Sequence, residues 1–327
     1  MFGETIPPQE GAGPNENSIA VTAPLLIVSI RGGTSGKEAM NDKNDESVKS
    51  GYAPVGAGLK MYYETRGSGG TPLVLIHGGG STIQTTFGNV LRYFSRDRQV
   101  IAVELQGHGH TADVDRPFSF EQDADDVAEL LKRLNVNRAD FLGFSNGGST
   151  ALQIGIRHPE IVNKLVIASA FYQRGGLVPG FFELIREASL MNMPEPLKAA
   201  YLEVAPDKQH LQAMHNKDRD RMLQFKDWSD ESLRSIKAPT LLLIGDQDIV
   251  TPEHAVKMSH VLSQARLMIL TGTHRAYIGE VCTAKPGSKM PEWTAGMIME
   301  FLSEISTHSG SQGLLRSVFQ RGIRAAQ

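Results

Sequence analysis

Apolar residues along this chain keep two alternating rhythms. Unbroken runs such as "PLVLI" (72–76), "QVIAVEL" (99–105), "ADFLGF" (139–144), "KLVIASA" (164–170), "PTLLLIG" (239–245) and "ARLMIL" (265–270) end in glycine or polar turns. Runs of that length and punctuation predict strands buried on both faces. Between them the apolar positions recur at three-to-four spacing. Phe120, Ala124, Val127, Leu131 and Leu134 follow a Ser119/Gln122 capping box, and "STALQIGIRHP" (149–159) is closed by proline. A helix is expected around residues 85–94, another opened by Thr251 and Pro252, and a last one bearing Trp293, Met297, Ile298, Phe301 and Leu302. Ahead of the alternation, "YAPV" and "LKMYYE" flank a glycine-containing turn and predict a hairpin.

Strands that alternate with helices imply an α/β fold with a mostly parallel, doubly wound central sheet and flanking helices. The rhythm breaks between residues 171 and 236, where helix formers dominate, and this stretch reads as an inserted helical cap. The core is therefore expected in 51–170 and 237–305. Residues 1–50 form an N-terminal extension, with a polar linker before the fold, and 306–327 a basic C-terminal tail.

Composition narrows the function classes. The formal net charge of -3 leaves no basic field for a nucleic acid backbone. The apolar run "SIAVTAPLLIVSI" (18–30) is shorter than the ~20 residues that span a bilayer, so no stable membrane insertion is expected. The residues before it carry acids and neither Lys nor Arg, unlike a secretory leader. With one cysteine, Cys282, the chain has no internal disulfide and fits the cytoplasm; secretion is the alternative if 18–30 acts as an atypical leader.

Ligands of such sheets bind beyond the carboxyl ends of the strands, so chemistry is sought at the strand-to-helix turns. There "GFSNG" (143–147) places Ser145 between glycines, directly after one predicted strand and before a helix. A serine hydroxyl needs a base, usually a histidine oriented by a carboxylate, to act as a nucleophile near neutral pH. Downstream, one strand ends in Asp246 and Asp248 and the next in His274. Spacing alone leaves the two acids close to tied. The order Ser, Asp, His is that of one hydrolase architecture. His77, His108 and His110 read as conformational residues of their turns rather than metal ligands, and Glu253 and His254 as a solvated first helical turn.

Together these features resemble the α/β-hydrolase family over about residues 51–305, the helical insert excepted. The likeness rests on His77-Gly78 in "HGGG", on "GHGHT" (107–111) with Thr111 where Ser is usual, on "GFSNG", and on "GDQDIVTP" (245–252). It departs at Glu104, where Asp is common, and at Asn146, which follows the nucleophile. The resemblance implies a catalytic triad of Ser145, Asp248 and His274, with Asp246 as a turn-stabilising neighbour. It also implies an oxyanion hole from the backbone N–H groups of Asn146 and Gly79, with Gly80 as a close alternative. No metal or cofactor is implied. The expected activity is carboxylic ester hydrolysis of a small-molecule substrate through an acyl-enzyme. Alternatives on the same fold are a carbon-carbon bond hydrolase, a lactonase, a perhydrolase or a non-catalytic ligand receptor.

Overall fold

The computed structural model describes residues 48–304. The apolar run at 18–30 and the basic tail at 306–327 lie outside the described residues. Eight strands form one sheet: β1 (Lys49–Pro54), β2 (Lys60–Arg66), β3 (Leu73–Ile76), β4 (Val100–Glu104), β5 (Ala139–Phe144), β6 (Val162–Ala168), β7 (Thr240–Gln247) and β8 (Ala265–Thr273). Their spatial order is β1-β2-β4-β3-β5-β6-β7-β8. The β1–β2 and β2–β4 pairs are antiparallel, and every pair from β4–β3 to β7–β8 is parallel. The expected hairpin is β1 and β2, with Tyr52 opposite Tyr62, and its turn uses Ala57 and Gly58 in the left-handed region (φ 55° and 77°).

The helices are α1 (Ile83–Phe87), α2 (Leu91–Ser95), α3 (Phe120–Arg133), α4 (Asn146–Arg157), α5 (Phe181–Arg186), α6 (Glu195–Val204), α7 (Leu211–Gln224), α8 (Asp230–Arg234), α9 (Pro252–Val261) and α10 (Met290–Ser303). Alternating strand residues feed two cores. Val74, Ile76, Ile101, Val103, Phe141 and Ile167 pack against α3, α4 and α9, whereas Leu73, Leu75, Val100, Ala102, Leu142 and Val166 pack against α1, α2 and α10. Burial on both faces is the physical reason β3 to β7 carry continuous apolar runs. The run "ARLMIL" departs from that expectation, because β8 has no neighbouring strand on its outer side and its residues are half-buried or exposed. β8 closes one edge of the sheet, and its Ile269 is exposed.

Two local expectations change. The helix expected over residues 85–94 is two short helices, separated by Gly88, Asn89 and Val90. Asn89 leaves the helical path and donates from Nδ2 to Gly279 O at 2.6 Å, tying this turn to the loop before α10. Before α3, Ser119 Oγ accepts from Gln122 N, but the Gln122 amide reaches forward to Asp126 at 3.1 Å instead of completing the capping box. Between β6 and β7 the chain runs through α5, α6, α7 and α8. Phe171, Phe225 and Trp228 join Phe120 of α3 in a cluster of edge-to-face rings with centroids 4.9–6.0 Å apart. Among the described residues no helix is long and apolar enough to cross a membrane.

Candidate active site

Ser145 occupies the turn from β5 into α4 with φ 55° and ψ -121°, a conformation few residues other than glycine adopt. Close backbone contacts hold it there. A Cβ on Gly143 would collide with Gly147 O, and one on Gly147 would collide with the carbonyls of Ile76 and His77 at the end of β3. The glycines therefore serve a close approach of three backbones, and the Ser145 N–H is anchored on Ala168 O at 2.8 Å.

His274 follows β8. Its Nε2 lies 3.0 Å from Ser145 Oγ, and its Nδ1 lies 2.6 Å from Asp248 Oδ1. A carboxylate only accepts, so the geometry assigns the proton to Nδ1 and leaves Nε2 to accept from the Ser145 hydroxyl. The Phe144 ring packs against the imidazole at 5.1 Å.

Asp248 is buried. Its Oδ1 also accepts from Val250 N at 3.1 Å, while Oδ2 accepts from Gly245 N at 3.2 Å and from the Ser169 hydroxyl. Burial pushes this carboxyl up, but His274, Ser169 and the Val250 N–H outweigh it and hold the group below its usual range. Asp246 points elsewhere: it is exposed and accepts from Gly272 N at 2.7 Å, fastening β7 to β8 at their register shift. Geometry thus separates the two acids that spacing left tied.

Two groups around Asp248 belong to no recognisable sequence motif. Ser169 directly follows β6 with φ 52°, and its Oγ lies 2.6 Å from the hydroxyl of the buried Tyr277. Because Ser169 donates to Asp248, Tyr277 donates to Ser169, and the chain of hydroxyls ends on the carboxylate.

On the other side of Ser145, the N–H groups of Gly79 and Asn146 have no acceptor among the described residues. The Gly80 N–H is engaged: it donates to Asp218 Oδ2 at 2.6 Å. Gly79 and Asn146 therefore remain the open donor pair. His77 is fully buried, bonded to Gly78 O at 2.7 Å and accepting from Leu105 N at 3.1 Å, and burial pushes its pKa down to about 4. It shapes the loop. Glu104 is also buried, accepting from the N–H groups of Ile83 and His110; its carboxylate fills the space where a Cβ of Gly109 would fall, so the longer acid matches that glycine.

His254 corrects the sequence reading. It is 6% exposed rather than solvated, stacked on Tyr172 at 4.9 Å and accepting from Tyr172 N at 3.3 Å. The loop after β6 brings Gly176 against this ring, which no feature of the "TPEH" turn announces. His108 is buried too, and its Nε2 meets Asp218 Oδ2 at 3.1 Å.

A family model described as alpha/beta hydrolase fold matches residues 71–211. The chain is 28% identical over 245 residues to the human serine hydrolase BPHL, covering 71% of this chain and 82% of that protein. It is 25% identical over 246 residues to 2-hydroxymuconate semialdehyde hydrolase of Pseudomonas sp. (strain CF600), covering 68% and 86%. The crystal structure of a serine hydrolase involved in carbazole degradation, the CarC enzyme, superposes with a TM-score of 0.64 at 23% identity, covering 79% of this chain and 99% of that one. The sheet order, the serine turn and these likenesses agree that the chain has the α/β-hydrolase fold.

Proposed function

We propose that this protein is a serine hydrolase that cleaves carboxylic esters of small molecules through an acyl-enzyme on Ser145. The observation that carries this reading is the continuous path from Asp248 through His274 to Ser145, with links of 2.6 and 3.0 Å, beside the N–H groups of Gly79 and Asn146 that have no acceptor among the described residues. Ser145 Oγ attacks the ester carbonyl carbon as its proton passes to His274 Nε2. The oxygen of the tetrahedral intermediate takes its negative charge between the N–H groups of Gly79 and Asn146. His274 then protonates the departing alkoxide as the carbon-oxygen bond breaks. Water, deprotonated by the same imidazole, attacks the acyl-enzyme and releases the acid. Asp248 holds the working tautomer and stabilises the imidazolium in each half-reaction. The insert at residues 171–236 acts as a cap over this site.

A second reading is cleavage of a carbon-carbon bond by the same residues, supported by the likeness to 2-hydroxymuconate semialdehyde hydrolase. One panel separates the two: activated esters of increasing acyl length, a lactone and a dienoate ketone, each with the parent and with Ser145→Ala. Turnover of short esters that Ser145→Ala abolishes, with thermal unfolding unchanged, supports the ester reading. Turnover confined to the dienoate supports the second, and full activity in Ser145→Ala overturns both.

A further inference from the structure

On α7 of the insert, Asp218 reaches across to the donor pair beside Ser145. Its Oδ2 accepts from Gly80 N at 2.6 Å and from His108 Nε2 at 3.1 Å. Its Oδ1 accepts from the Arg221 guanidinium and stands 3.5 Å from Asn146 Nδ2. Arg221 is itself fixed by the buried Asp123 of α3 at 2.7 Å. One carboxylate thus touches both segments that carry the open N–H groups, 138 and 72 residues away along the chain.

We propose that Asp218 is a positioning residue for the oxyanion hole, and that it makes the geometry of Gly79 and Asn146 depend on the cap being in place. The inference rests on the ester-hydrolase reading for its kinetic consequence, though not for its structural one.

The physical case starts from the loop. Gly78, Gly79 and Gly80 follow β3 with no side chain to restrain them, and Gly80 is left-handed at φ 64°. Anchoring the Gly80 N–H fixes the peptide plane after Gly79 and so narrows the range of φ and ψ through which the Gly79 N–H can reorient. A hole that is loose by about 1 Å loses about a hundredfold in rate, so such an anchor matters. Space agrees with the assignment. A Cβ on Gly79 would press on the Asn146 amide and stand 3.0 Å from Asp218 Oδ2, so that glycine leaves room for the amide to reach toward the carboxylate. This accounts for the side chain of Asn146, whose family position usually holds another residue.

Charge is the objection, since a carboxylate beside a developing oxyanion opposes it. Arg221 and His108 answer it by sharing the same carboxylate, so the hole faces a neutralised group. Burial favours protonating Asp218, but those two cations and the Gly80 N–H hold it far below the usual carboxylate range.

The test compares Asp218→Ala and Asp218→Asn with Asp220→Ala, an exposed-side residue of the same helix paired with Arg219. Amide hydrogen exchange is followed in peptides covering residues 78–82, alongside kcat and KM on a neutral short-chain activated ester. In Asp218→Ala, exchange of this segment should rise about tenfold or more, and kcat should fall about 10- to 100-fold while KM stays within about threefold. Asp218→Asn, which keeps the size and one acceptor, should lie between, and Asp220→Ala should match the parent. Unchanged exchange in Asp218→Ala overturns the proposal, as does a loss carried wholly by KM or an unaltered kcat. If the parent turns over no ester, the functional reading fails, and the exchange comparison alone still decides whether Asp218 holds the loop. Should the alanine variant not fold, the asparagine variant carries the same comparison.

Discussion

Replacing Asp248 by asparagine separates the charge of this residue from its shape. Four donors converge on the carboxylate: His274 Nδ1 and Val250 N on Oδ1, Gly245 N and the Ser169 hydroxyl on Oδ2. An asparagine has one acceptor oxygen, so its NH2 must face some of these donors. With the NH2 at the Oδ1 position it would oppose the Val250 N–H and force the proton of His274 onto Nε2. With the NH2 at the Oδ2 position, the Ser169 hydroxyl turns to His274 O, 3.2 Å away, and accepts from the new amide. Only the Gly245 N–H then loses its acceptor, and the tautomer of His274 survives. The second arrangement wins.

Two magnitudes follow. One buried, unsatisfied N–H costs about 1–3 kcal/mol. At about 2–4 °C per kcal/mol for domains approaching this size, Tm should fall by about 2–12 °C. Loss of the charge acts on the rate. A unit pair about 4 Å apart at an effective dielectric near 20 is worth about 4 kcal/mol, and each 1.36 kcal/mol is about tenfold, so kcat should fall by about three powers of ten. Stopped-flow release of p-nitrophenol with single-turnover analysis reads the acylation step, and differential scanning fluorimetry reads Tm. A kcat within about fivefold of the parent, in a variant with the expected Tm loss, would refute the electrostatic role given to Asp248.

Other perturbations test separate parts of the structure. Burial, with Lys257 adding to it, pushes His254 down to about 4, so the unfolded chain binds a proton there below about pH 6.5 that the fold refuses. Stability from this group is full above that pH and is lost toward pH 4 at about 1.4 kcal/mol per unit. His254→Gln should therefore flatten the acid limb of a Tm-against-pH plot, and an unchanged slope would count against a buried neutral imidazole. Gly147→Ala drives a Cβ into two backbone carbonyls and should lower Tm by about 5 °C or more, whereas Gly175→Ala, with open space around it, should not. Ser169→Ala removes a donor to Asp248 and the acceptor of the buried Tyr277 hydroxyl; about tenfold in kcat and about 1–3 kcal/mol by urea unfolding are expected. Parent-like values in both would make the hydroxyl chain a bystander.

What the sequence reveals and conceals has a physical pattern. Ser145, Asp248 and His274 are legible because each directly follows a strand, and a parallel sheet brings all strand ends to one rim. The glycines of "GFSNG" are legible because local backbone crowding selects them. Asp218, Arg221 and Asp123 are not, since their meeting depends on how α7 settles against α3 and the loop after β3. Within α7, Asp218 and Arg221 look like members of the polar run "HNKDRDR", which reads as a solvated face. His254 is misread for a related reason: the first turn of α9 would be wet if residues from the loop after β6 did not cover it. Gly88 and Asn89 end α1 for the sake of a bond to residue 279, and no local propensity encodes a partner so distant.

The carbonyls of Ile76 and His77 pressed against Gly147 have a practical consequence for redesign. They weld the serine turn to the end of β3 without any side chain, so the reacting centre keeps its shape when the residues facing the substrate are exchanged. If the proposed ester hydrolysis and the cap role of residues 171–236 hold, libraries aimed at new acyl groups belong in that segment. Positions 218 and 221 are the exceptions, to be held constant while the rest of that segment is diversified.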